Sequence, residues 1–193
     1  SSKITLQPLE RFNLSAAIIF SDILMVPYGL GQEVNFIKNF GPKLGSLDFQ
    51  KISSIKELEF SEKLLPIYKA INEVKKNSLI KNKDLIGFIG APWTLLVYMI
   101  NQSSPKKKIN KDIFKNNNLI IETLKVLEKF LKIHIKNQIE NGATIIQIFD
   151  SWAGLLEENE LQKYVYNPTL NLVNYVKSFN IPVICFPREI KNY

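Results

Sequence analysis

Short unbroken apolar runs alternate along the chain with longer stretches in which apolar residues return every three or four positions. The runs are AAIIF (16–20), DLIGFIG (84–90), ATIIQIFD (143–150) and IPVICF (181–186). Continuous apolar character of this kind predicts strands buried on both faces, as in a parallel sheet covered by helices. Between the runs, Ile120, Leu124, Leu127, Leu131 and Ile135 keep helical spacing over 119–141, with Gly142 as a C-terminal stop. Ile67, Ile71 and Val74 repeat the spacing over 67–77, after Pro66, a favoured first-turn residue. Over 157–179, Leu161, Tyr164, Val165, Leu172, Val176 and Phe179 do the same, with Pro168 as a break or kink. Strands alternating with helices mean βαβ units, hence an α/β fold with four parallel strands in sequence order. No internal repeat or low-complexity tract interrupts the pattern.

Each apolar run stops at polar or small groups: Asp22 after the first, Gly90 to Thr94 after the second, Asp150 to Gly154 after the third, Pro187 and Arg188 after the fourth. Right-handed crossovers put all these carboxyl ends on one side, where α/β sheets and barrels build their sites. Asp22 is the most telling, because a strand buried on both faces has no use for a charge. Its carboxylate either caps the next turn or takes donors from a ligand. Residues 27–48 exceed an ordinary βα connection, are marked by glycine and proline, and hold the alternating EVNFI (33–37), a short exposed strand.

Composition changes this picture little. Of 193 residues, 46% are apolar and 22% charged, as in ordinary globular proteins, and no run reaches the roughly 18 apolar residues of a membrane span. The single cysteine, Cys185, rules out an internal disulfide and suits a reducing cytoplasm. The net charge of +7 suggests nucleic acid, but Arg11 and Arg188 are the only arginines among 25 basic residues. With isoleucine and asparagine also abundant, A/T-rich codons explain the lysines, and arginine with interleaved aromatics is missing. The densest cluster, Lys106 to Lys108, reads as a solvated loop, so no nucleic acid is expected. His134 in a lysine-rich helix and Cys185 in a strand core read as structural.

TLQPLERF (5–12), AAIIFSDIL (16–24), LIGFIGAPWTLLVYMI (85–100) and IQIFDSWAGLL (146–156) resemble successive blocks of the uroporphyrinogen decarboxylase family, in order and spacing. The resemblance implies a (β/α)8 TIM barrel, of which residues 1–193 form a single partial domain with about four strands. It implies a cytoplasmic homodimer, no cofactor or metal, and a tetrapyrrole substrate: uroporphyrinogen would lose four CO2 to give coproporphyrinogen in haem synthesis. Carried over by position, the central catalytic and substrate-binding aspartate is Asp22, with Ile23 and Leu24 in the pocket wall and Tyr98 and Ser151 binding substrate. Blander roles stand beside these: Tyr98 as a buried helix aromatic with a locally satisfied hydroxyl, Ser151 as a helix N-cap, Trp93 and Trp152 as packing.

The departures matter too. The family's arginine-rich block, of the form MRQAGRY, and a histidine carried by the last strands have no counterpart here. Ser15 stands where the family has aspartate, and Glu189 where it has glycine. Half a barrel would be an open, curved sheet with two exposed edges and an uncovered inner face, and is expected to be inactive alone. Methyltransferases of the same barrel superfamily, or a non-catalytic fragment, are the alternatives.

Overall fold

The structure, a computed structural model, describes residues 2–105 and 116–190; Lys106 to Lys108 lie outside them. In chain order the elements are α1 (Ser2–Arg11), β1 (Ala16–Ile18), α2 (Met25–Gly29), β2 (Val34–Ile37), β3 (Gly41–Leu44), α3 (Phe49–Ser54) and α4 (Glu57–Lys76). They continue as β4 (Asp84–Gly90), α5 (Pro92–Asn101), α6 (Asn117–Glu140), β5 (Ile145–Asp150), α7 (Glu158–Leu161), α8 (Asn167–Lys177) and β6 (Val183–Pro187). The four apolar runs form one parallel sheet in the order β1-β4-β5-β6, as predicted. The register aligns the strand ends: Gly90 pairs with Phe149, and Phe149 with Phe186.

Only one face of this sheet is covered, which corrects the expectation of burial on both. Leu85, Ile89, Ile146 and Ile148 alternate toward the helices and are at most 1% exposed. The core there includes Leu127, Leu131 and Ile135 of α6 and Phe60 and Leu64 of α4. The opposite face carries Ile18, Phe20, Phe88, Phe149, Ile184 and Phe186, with Phe20 57% and Phe186 52% exposed. A (β/α)8 interior is filled by side chains from all around the ring, and four strands supply only one side of it. The fourth run departs furthest from its forecast: Ile184, Cys185 and Phe186 are exposed on an edge strand, so Cys185 is not in a strand core.

The helices follow their apolar stripes, with instructive differences. Helix α4 begins ten residues before the predicted 67, because Phe60 and Leu64 extend its buried stripe. Pro66 therefore lies inside the helix and not in its first turn. Pro168 does mark a break: α7 passes through a π-helical turn at Gln162–Tyr166 before α8 begins, with Pro168 in its first turn. The long connection after β1 holds α2 and the hairpin β2–β3, whose Phe36 and Phe40 are exposed. The hairpin base is tied to the end of α5 by Leu44 N–H donating to the Gln102 carbonyl (2.7 Å). His134 is structural as read: buried on α6, its Nδ1 lies 2.9 Å from the Tyr68 hydroxyl, and burial lowers its pKa to about 3.

Candidate functional site

Because the four strands are parallel, Asp22, the Gly90–Thr94 turn, Ser151 and Arg188 all follow carboxyl ends and lie along one edge of the sheet. Asp22 ends the extended segment after β1 and turns the chain into α2. Its Oδ1 accepts the Leu24 N–H at 2.8 Å, and its carbonyl accepts the Met25 N–H at 3.2 Å. The capping role is thus real, and it occupies one carboxylate oxygen. Burial raises the Asp22 pKa above the ordinary 3.8, and the Leu24 N–H offsets part of that rise.

Ile23 is half-buried against the end of β4, where a Cβ on Gly90 would come within 3.1 Å of the Ile23 Cβ. Leu24, expected in the pocket wall beside it, is instead a core residue at 2% exposure. Tyr98 lies on α5, half-buried, its ring 5.8 Å from that of Trp152. Its pKa is raised, first by burial and also by the negative charge of Asp22; contacts with Trp152 and Ser104 oppose the rise. Tyr98 and Asp22 are therefore within electrostatic reach, and Trp152 and Ser104 also stand near the phenol. Trp152 favours the ionised phenol by proximity, yet its Nε1 lacks hydrogen-bond geometry to any partner among the described residues. Ser151 is half-buried in the turn after β5 and does not cap a helix: the following helical turn starts from Trp152, without a side-chain cap.

Below this edge, Phe20, Phe88 and Phe149 line a groove of about 410 Å³ between α1 and the open sheet face, ending at Ser21. Phe88 and Phe149 meet edge-on at 5.5 Å, and Phe149 and Phe186 at 6.5 Å. Asp22 follows Ser21 at the end of this aromatic groove, and a carboxylate of raised pKa next to such a wall suits a flat, apolar, hydrogen-donating ligand.

The family model for uroporphyrinogen decarboxylase (URO-D) matches residues 1–192. The chain belongs to the uroporphyrinogen decarboxylase family. It is 40% identical over 192 residues to the uroporphyrinogen decarboxylase of Rickettsia bellii, covering 97% of this chain and 56% of that protein. With the Campylobacter jejuni enzyme of the same name it shares 40% identity over 203 residues, covering 100% of this chain and 58% of that one. The chain thus spans about half the length of these relatives. Among solved structures, a methyltransferase from Methanosarcina mazei superposes with a TM-score of 0.73 at 18% identity, covering 95% of this chain and 54% of that one. That likeness shows the fold, a partial TIM barrel of four consecutive parallel strands with their helices.

Family membership gives the departure at Glu189 a physical content. Glu189 has φ +62°, in the left-handed region that glycine adopts without cost. Gly154 abuts it so closely that a Cβ there would lie 2.5 Å from the Glu189 carbonyl oxygen. Two residues that the sequence placed at strand ends without a role of their own, Asp150 and Thr94, also emerge. Asp150 is 2% exposed, accepts the Thr94 hydroxyl at Oδ1 (2.6 Å), and has no partner for Oδ2 among the described residues. Burial pushes its pKa up to about 6, with the Thr94 hydroxyl opposing the shift. The signal available beforehand was an acid closing a buried strand, the same one that drew attention to Asp22.

Proposed function

We propose that this chain forms the Asp22-centred part of a uroporphyrinogen decarboxylase, with residues 1–193 acting as one partial-barrel domain. The observation that carries the reading is Asp22 itself: half-buried at the carboxyl edge, one oxygen engaged by the Leu24 N–H, and within electrostatic reach of Tyr98. The substrate is a ring of four pyrroles whose N–H groups converge on a single carboxylate, which compensates its desolvation. Protonation of a pyrrole carbon makes the ring cationic. The acetate C–C bond then breaks, its electron pair neutralises the ring and CO2 leaves; the exocyclic methylene so formed takes a proton while the ring carbon gives its own back, so that one proton replaces each CO2 overall. A fixed anion beneath the ring stabilises the cationic state more than the neutral reactant, the condition for rate enhancement. Tyr98 and Ser151 bind and orient the macrocycle, with Ile23 in the wall. The chemistry calls on no cofactor, and the working form is a cytoplasmic homodimer.

The test grafts residues 1–193 in place of the matching segment of the Rickettsia bellii enzyme and measures coproporphyrinogen formed from uroporphyrinogen. The graft should turn over, and Asp22→Asn should lower kcat by about 100-fold or more while leaving the circular dichroism spectrum unchanged. A folded but inactive graft, or an Asp22→Asn graft of unimpaired rate, would overturn the proposal.

A further inference from the structure

The turn that carries Ser151 and Trp152 is fastened to helix α5 through both backbone groups of one residue, Trp152. Thr94, in the first turn of α5, accepts the Trp152 N–H at its Oγ1 (3.1 Å). Trp93, one residue earlier, donates its Nε1–H to the Trp152 carbonyl (3.1 Å). A threonine hydroxyl can accept one hydrogen bond and donate another, and here its proton goes to Asp150 Oδ1 at 2.6 Å. Asp150 thereby fixes which way the Thr94 lone pair points. Thr94 is fully buried, so water does not compete for either bond. One helical turn further along α5 stands Tyr98, whose ring packs edge-on against that of Trp152. The contacts form a closed circuit: Asp150 to Thr94, Thr94 to the Trp152 backbone, Trp152 to Tyr98, and Tyr98 back along α5 to Thr94.

We propose that Thr94 is a positioning residue of the candidate site, anchored by Asp150 and holding the Ser151–Trp152 turn, and through the Trp152 ring Tyr98, in fixed register at the Asp22 edge. Thr94 touches no substrate in this scheme; it sets where the residues that do so stand. The inference deepens the decarboxylase reading and rests on it for the consequence in turnover. The circuit itself stands on the geometry alone. Nearby alternatives explain less. Trp93 supplies only the carbonyl side of the clamp and is otherwise committed to stacking on Tyr164 at 5.5 Å. Asp150 orients the hydroxyl without reaching the turn's N–H.

The chain has two tryptophans, so 5-fluorotryptophan labelling gives two 19F resonances, that of Trp152 within the clamp and that of the buried Trp93 on its carbonyl side. In Thr94→Val the Trp152 resonance should shift and broaden, its NOE to the Tyr98 ring should vanish, and the Trp93 resonance should move far less. Thr94→Ser should restore all three. In the grafted enzyme Thr94→Val should lower kcat/KM by about 10-fold, the range expected when a buried hydrogen bond is lost, and Thr94→Ser should recover it to within about 2-fold. If Thr94→Val does not fold, Asp150→Ala carries the same test. It removes a buried carboxylate that has no charged partner, which offsets the cost of leaving the Thr94 hydroxyl without its acceptor, and it should displace Trp152 in the same direction. A Trp152 resonance and NOE unmoved in whichever variant folds would overturn the clamp, and a displaced Trp152 with unchanged kcat/KM would overturn its role in the site. An unsubstituted graft that is folded but inactive would count against the decarboxylase reading, while the Trp152–Tyr98 NOE would still decide the clamp.

Discussion

Asp22 follows β1 and Asp150 closes β5 at the same end of the sheet, with β4 between them, and the two have opposite fates. Asp22 stays half-exposed, spends one oxygen on a backbone N–H, and faces the region of Tyr98. Asp150 is 2% exposed, in the wall of a cavity of about 310 Å³ between the sheet and α8, and a threonine hydroxyl is its hydrogen-bond partner. Burial raises both pKa values, so a perturbed acid does not by itself mark the residue that meets substrate. What separates the two is their surroundings: Asp22 is half-exposed and follows the last residue of the groove, whereas Asp150 is 2% exposed and organises the buried Thr94 hydroxyl.

The largest effect expected is at Asp22, where Asn should cost the grafted enzyme about 100-fold or more in kcat with little change in stability. If Asp150→Asn costs as much, the division of labour fails. Tyr98→Phe and Ser151→Ala should weaken uroporphyrinogen binding in the graft by about 1–3 kcal/mol, seen in KM and in the order of the four decarboxylations. Asp150→Asn should act on stability instead. Since the folded pKa of about 6 exceeds the ordinary 3.8, the folded state holds the proton more tightly. The contribution of Asp150 to stability is therefore fully present below pH 4 and is lost as pH rises to about 6, on the order of 3 kcal/mol in total. Denaturant midpoints should show Asp150→Asn more stable than the parent by about 1–3 kcal/mol at pH 7.5, with the gain disappearing toward pH 4. A gain independent of pH would mean that the carboxylate is not the source. The smallest effect is at Glu189, where glycine should raise stability by about 1 kcal/mol by relieving the left-handed backbone.

The strands, their parallel order and the shared edge were legible in the apolar runs, because burial against the helices imposes that pattern whatever the rest of the molecule does. The open face was not legible from the runs alone. Phe149 and Phe186 look like core residues in sequence, and only the count of strands says whether anything stands opposite them. Asp22 could be picked out as a charge where none was needed, whereas the partnership of Thr94 with Asp150 joins residues 56 positions apart and leaves no local trace. Pro66 misled for a related reason: its helix is sustained by Phe60 and Leu64, whose partners lie on α6 and elsewhere in the core.

The π-helical turn at Gln162–Tyr166 works as a phase shifter. An α-helix advances 100° per residue, so the extra residue in one turn rotates everything downstream relative to everything upstream. Leu161 points into the core before the turn, Tyr164 and Val165 within it, and Leu172 and Val176 after it. Deleting a single residue from this turn would restore a regular helix and swing that second pair away from the sheet by about a quarter of a turn. Tolerance to length change should accordingly be poorer here, inside a helix, than in the exposed hairpin at Phe36 to Phe40, where no downstream rotation follows.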